Sequence, residues 1–199
     1  AVGGKAGHAE GMAVELKVPI VRMVDGTGGG GSVKTIENIG RTYIPDLWFW
    51  PYVVEGMSLV PQVSLALGSV AGIGAARVVT SHYSVMVKDI SLMMIAGPAL
   101  IDHAGEEITK EDLGGTHIHT NTGAVDDLVD SEEEAGDAAR RFLSYLPSSA
   151  NQLPARGAQD DDPQRREDFL IDIVPRSRRR PYKMRRILEA VFDEGSFFE

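Results

Sequence analysis

Two apolar strands that each run straight into a glycine-rich turn limit this chain more than any other feature. Residues 20–24 (Ile-Val-Arg-Met-Val) end in Asp25-Gly26-Thr27 followed by Gly28, Gly29, Gly30 and Gly31. Residues 63–67 (Val-Ser-Leu-Ala-Leu) end in a turn over 68–74 that contains Gly68, Gly72 and Gly74. Helical stretches follow both turns, over 33–40 and 75–79, and a third strand is expected at 83–87. Short apolar strands alternating with helices pack as a layered α/β core.

Other elements are read from pattern and punctuation. Residues 6–17 form a helix ahead of Pro19. The aromatic-rich stretch 46–57 holds Trp48, Phe49, Trp50 and Tyr52, and Pro51 is expected to interrupt any helix there. Residues 131–146 make the clearest helix. Ser131 and Glu134 have capping-box spacing, and Ala135, Ala138, Ala139, Phe142 and Leu146 share a face before Pro147 stops it. Residues 148–166, polar and rich in Asp and Pro, read as a linker. A short apolar piece at 169–174, a basic run at Arg176 and Arg178–Arg180, and an amphipathic helix at 183–192 complete the chain. The domain division expected is 1–150 and 151–199.

Composition removes several function classes. With 199 residues and 43% hydrophobic content the chain can bury a sizeable core. A net charge of -9 argues against nucleic acid and anionic membranes as partners. There is no Cys, so disulfides and thiolate metal sites are excluded, which suits a reducing compartment. No apolar run spans a bilayer, and residues 1–11 lack a signal-peptide pattern. Ala1 in place of Met, and Phe197-Phe198 just before Glu199, lead to the expectation of a truncated chain.

The glycine turns are the candidate chemistry. A turn that opens a helix presents free N–H groups to a phosphate or an oxyanion, and two such turns converging make a two-donor oxyanion hole. The plain alternative is tight packing of helix on strand. Nucleotide motifs fare worse. Val33 stands where a P-loop needs Gly before Lys34-Thr35. Gly26, Gly28 and Gly31 fit a dinucleotide fingerprint with Asp46 as the ribose contact, a weak match in a four-glycine run. His117 and His119 share a face if extended, but no third metal ligand stands at a recognisable spacing, so both read as structural. The acidic runs at 132–134 and 160–162 read as helix N-terminal charge and solvated linker. The basic run reads as a solvated patch, with a CoA phosphate or an acidic partner as its functional alternative. No side-chain base stands out.

From residue 64 onward the chain resembles the biotin-dependent carboxyltransferase family. The segment Leu67 to Ala76, Ala96-Gly97-Pro98-Ala99, Gly105-Glu106-Glu107-Ile108, Leu113-Gly114-Gly115-Thr116, His119 and Gly123-Ala124-Val125-Asp126 follow in that family's order. Leu143 to Pro147 matches the end of its first domain, and Pro181 to Arg185 with Asp193 to Glu199 the entry to its second. The resemblance implies a crotonase-like α/β fold of repeated ββα units, with an incomplete acyl-CoA-binding domain and the start of a second one. It implies transfer of a carboxyl group from N-carboxybiotin to the α-carbon of an acyl-CoA through an enolate.

By that resemblance the N–H of Gly72 is one oxyanion donor and that of Gly30 or Gly31 the other. Gly28, Gly29, Gly74 and Ala75 are the neighbouring cofactor-binding positions. Biotin on a carrier protein, a biotin carboxylase component and a hexameric assembly are implied partners. The compartment implied is the cytoplasm, or the mitochondrial matrix in a eukaryote. Gly31-Ser32 departs from the Ala-Arg pair of many members and leaves substrate class open. A decarboxylase of the same fold, a nucleotide module on Gly26–Gly31 and a non-catalytic scaffold are the alternatives.

Overall fold

Residues 62–66 are buried without a break, the mark of an inner strand in a parallel sheet covered on both faces. They begin β2 (Gln62–Ala71), the spine of the fold. The computed structural model describes residues 2–26, 33–41, 47–103, 105–157 and 161–198. β2 pairs in parallel with β1 (Ile20–Gly26) on one side and with β3 (Tyr83–Val87) on the other. β5 (Asp127–Val129) extends the sheet beyond β3. The far end of β2, Ser69 to Ala71, leaves β3 and pairs instead with β4 (Leu92–Met94).

Parallel strands need crossovers, and helices supply them. α1 (Val2–Leu16) precedes β1; α2 (Val33–Ile39) and α3 (Trp50–Leu59) link β1 to β2; α4 (Ile73–Val79) links β2 to β3. Three short helices, α5 (Pro98–Asp102), α6 (Lys110–Gly114) and α7 (Thr116–Thr122), lie between β4 and β5. α8 (Glu132–Ser144) follows β5. Ala66, Val70, Val78, Met86, Met93 and Val125 form the buried core between β2, β3, β4 and α4.

The chain divides into two compact units, Ala1–Pro154 and Ala155–Glu199. The second holds α9 (Leu170–Ile173) and α10 (Met184–Val191). There Arg165 donates to the carbonyls of Ala190 and Phe192 at 3.0 and 2.7 Å, which satisfies the end of α10. It also pairs with Asp161 at 2.8 Å.

Several expectations change. Pro51 opens α3 rather than interrupting it, because a first-turn N–H has no intrahelical acceptor to lose. β2 continues through Gly68 to Ala71, so the turn shrinks to Gly72. At Gly68 the Asp25 carboxylate lies against the backbone, in the space an added Cβ would take. For α8, Ser131 accepts from the Glu134 N–H at 3.2 Å, whereas the Glu134 carboxylate reaches back to Asp130 N–H at 2.8 Å, one residue further than a capping box requires. Phe142 of α8 stacks on Tyr83 with centroids 5.0 Å apart. Burial of the Tyr83 phenol, and then its 2.5 Å bond to Asp127, push its pKa above the ordinary value.

A buried ion network joins the layers. Arg22 of β1 donates to both carboxylate oxygens of Glu10 on α1, at 2.8 and 3.0 Å, and these residues are 4% and 1% exposed. Arg22 also donates to the Thr80 carbonyl at 2.8 Å and to the Gln62 amide oxygen at 2.7 Å. Gln62 passes the connection on to the Val53 carbonyl at 3.2 Å. Arg77 of α4 donates to Glu10 at 2.5 Å and lies over the Phe49 ring at 5.4 Å.

Burial alone would raise the Glu10 pKa; the bonds and charges of Arg22, then Arg77, outweigh it and hold the carboxyl below its ordinary 4.5. A depressed carboxylate pKa contributes stability that is present above the unfolded value and lost as pH falls through the folded one. Urea unfolding at a series of pH values should therefore show stability dropping once pH passes below 4.5, and Glu10→Gln should flatten that part of the curve. At pH 7, Glu10→Ala leaves Arg22 buried without its counter-charge and should cost about 3–5 kcal/mol.

Candidate functional site

The site forms where β2 stops. Gly72 has φ +60° and ψ -124°, a conformation that side-chain-bearing residues rarely adopt. Its N–H donates to the Met94 carbonyl at 3.0 Å, closing the β2–β4 ladder. Its carbonyl accepts the Ala76 N–H at 3.1 Å, opening α4. One residue thus ends a strand and begins a helix. The Gly72 N–H, expected as an oxyanion donor, is bonded to the Met94 carbonyl in this structure. The amides of Ile73, Gly74 and Ala75 precede the first intrahelical bond of α4, and Ile73 is the next residue along the wall.

Beneath the turn lies a recess of about 500 Å³. Gly72, Ile73, Ala75, Ala76 and Val79 line it from β2 and α4, Met93, Met94 and Ile95 from β4 and its exit, and His119 and Ala124 complete the lining. His119 of α7 is the one polar side chain among these described lining residues. Its Nε2 lies 2.6 Å from the Met93 carbonyl, which only accepts, so that nitrogen carries the proton. Successive carbonyls of β4, Met93 and Met94, are therefore held by His119 and by Gly72.

The other expected positions divide. Ala75 lines the recess and is 8% exposed. Gly74 turns the other way: an added Cβ would lie 3.0 Å from Val70 Cγ1 and 3.8 Å from the Gly26 carbonyl. Gly74 thus lets α4 sit against the ends of β1 and β2, and it is absent from the described lining. The same contact puts the exit of β1 beside the start of α4, so both glycine turns begin side by side. Gly28, Gly29, Gly30 and Gly31 themselves, and Asp46 of the dinucleotide alternative, lie outside the described residues.

His117 and His119 do not share a face. The segment is helical, and residues two apart on a helix diverge. His117 is exposed and its ring lies against Gly115. Among the described residues no three His, Cys, Asp or Glu gather as metal ligands. No helix of the described residues is long and apolar enough to cross a membrane. His119 as a lining residue was missed from spacing, because its role depends on β4, a three-residue strand with no periodicity to read.

The conformation at Gly72 gives a direct test. Gly72→Ala should cost roughly 1–3 kcal/mol in urea unfolding from backbone strain. Gly97→Ala should cost far less, because Gly97 has φ -75° and an added Cβ would meet nothing within 4 Å.

Comparison with known proteins bears on this geometry. Residues 8–199 match the family described as "Carboxyl transferase domain". The chain is 36% identical over 190 residues to the propionyl-CoA carboxylase carboxyltransferase subunit of Haloferax mediterranei, covering 94% of this chain and 36% of that protein. It is 28% identical to methylmalonyl-CoA decarboxylase subunit alpha of Veillonella parvula, at the same coverage. Among solved structures it resembles the geranyl-CoA carboxylase beta subunit of P. aeruginosa at 27% identity and TM-score 0.62, covering 98% of this chain and 36% of that one. The transcarboxylase 12S hexamer, at 22% identity and TM-score 0.76 over 96% of this chain and 37% of that one, shares the fold. The expected crotonase-like α/β class therefore holds. The chain spans just over a third of the length of these relatives.

Proposed function

We propose, from the premise that the chain belongs to the carboxyl transferase domain family, that the protein is the carboxyltransferase component of a biotin-dependent acyl-CoA carboxylase. The observation that carries the proposal is the Gly72 turn, set beside the exit of β1 and over an apolar recess. On this reading an acyl-CoA thioester places its oxygen at the turn and its acyl group in the recess. Carboxylation at the α-carbon passes through an enolate, whose negative oxygen needs preorganised N–H donors. The Ile73 amide is one donor. Gly30 or Gly31, on the turn after β1, remains the proposed source of the second, with Gly28 and Gly29 beside it.

Biotin, carried by a partner protein, supplies the carboxyl group. The recess is walled by apolar side chains and offers no polar set for a ureido ring, so its fit is to the acyl group and the biotin ring would be held by residues outside it. Ala1–Pro154 serves as the acyl-CoA domain, and Ala155–Glu199 begins a second one. A biotin carboxyl carrier protein, a biotin carboxylase component and a hexameric assembly are the partners this reading entails. A relative named for the mitochondrion and others from prokaryotes support the cytoplasm or the mitochondrial matrix as the compartment.

The likeness to a decarboxylase subunit favours a second reading, the reverse transfer on the same scaffold. The two are told apart by supplying carboxybiotin with propionyl-CoA, or methylmalonyl-CoA with free biotin, and measuring which pair turns over. Calorimetric titration with acetyl-CoA, propionyl-CoA, NADH and ATP tests the class itself. Thioesters alone should bind; binding of NADH or ATP alone would put a nucleotide module in its place. Ile73→Pro, read against Ile73→Ala as the control for the lost side chain, isolates the donor, because Pro is tolerated at the first helical position but has no N–H. It should keep the unfolding midpoint close to wild type and lower turnover on the order of 100-fold. Full turnover in that variant would reject the Ile73 amide as a donor.

A further inference from the structure

We infer that the recess under the Gly72 turn is an acyl pocket that favours chains longer than propionyl, with Ile73, Val79 and Met94 reading their length. The inference rests on the proposed reading of this site as one for CoA thioesters.

Size is the first argument. The recess holds about 500 Å³, and a methylene is about the size of a water molecule, whose share of liquid volume is about 30 Å³. A propionyl group anchored at the turn brings two carbons beyond its carbonyl and leaves most of that space unfilled. Direction is the second. Val79 stands six residues beyond Ile73 on α4, about 9 Å along the helix axis, and both line the recess. A short acyl group ends well before Val79.

Chemistry is the third argument. Ile, Val, Met and Ala walls give water no hydrogen-bonding partner, and the Nε2 of His119 is committed to the Met93 carbonyl. Apolar surface continues to the mouth, where Val79 is 50% and Ile95 89% exposed. An acyl chain laid along α4 removes this surface from water. Each methylene buried in this way strengthens binding about fourfold.

The test is calorimetric titration of the protein with free CoA and with propionyl-, butyryl-, hexanoyl- and octanoyl-CoA. Affinity should rise about fourfold per methylene and level off once the recess is full. Ala76→Phe should block the recess midway and cut the octanoyl-to-propionyl affinity ratio at least tenfold. Val79→Phe, at a half-exposed position, should do the same if the first variant does not fold. Equal affinity for all four thioesters, or an unchanged ratio in a folded variant, overturns the inference and leaves the CoA-thioester reading standing. A protein segment covering the mouth would give that outcome. Binding of none of the thioesters overturns both.

Discussion

The Glu10–Arg22 pair is the interaction on which the rest of the fold depends. Removing two charges from water is expensive, and their attraction repays it only when every remaining donor and acceptor is also matched. Arg22 is matched further by the Thr80 carbonyl and Gln62, and Glu10 by Arg77, whose own Nε is the one buried side-chain nitrogen or oxygen without a hydrogen-bond partner among the described residues. The partners come from α1, β1, β2 and the end of α4, so no single layer completes the set. A shift of any one layer leaves a buried charge exposed to a low dielectric. Apolar packing alone would tolerate more sliding, because it is not directional.

That constraint reaches the site through α4. Arg77 and Thr80 hold its C-terminal end, and seven helical residues are a rod of about 10 Å. Fixing one end therefore fixes the other, where Gly72 and Ile73 stand. The opposite wall is fixed independently: His119 and Gly72 grip adjacent carbonyls of β4. Gly114 lets α6 approach the same strand, since an added Cβ there would lie 2.5 Å from the Met93 carbonyl. The recess thus lies between a rod anchored by charge and a strand anchored by hydrogen bonds.

Legibility in the sequence followed the range of the interactions. β3 and most of β2 show as apolar runs because burial on both faces is a local compositional demand; β1 shows as an apolar run too, although Arg22 is its one buried residue. α8 shows because its cap and its buried face lie within thirteen residues. The last part of β2 does not show. Gly68 and Ser69 look like turn residues, and the strand runs on through them because Ser69 to Ala71 pair with β4 and Val70 also pairs with Gly26 of β1. β4 and β5 have three residues each, too short for a period, and exist because β2 and β3 offer free edges. Pro51 was misread as a breaker because its effect depends on where the helix begins, which propensity does not settle.

The site was legible as a place and not as a set of groups, and the chemistry explains why. A donor amide has no side-chain identity, so the donor proposed at Ile73 could sit on any residue except Pro and still present its N–H. What the sequence must specify is the backbone path that aims it, and that demand falls on Gly72, whose positive φ excludes other side chains. Aligning glycines therefore finds the turn, and the amide it singles out is the one bonded to Met94 at the end of the β2–β4 ladder. The walls of the recess carry a different demand, apolarity and volume, which many combinations of Ile, Val, Met and Ala satisfy. The turn thus asks for one residue type at one position, whereas the recess asks only for a sum of apolar volume, which leaves no motif behind.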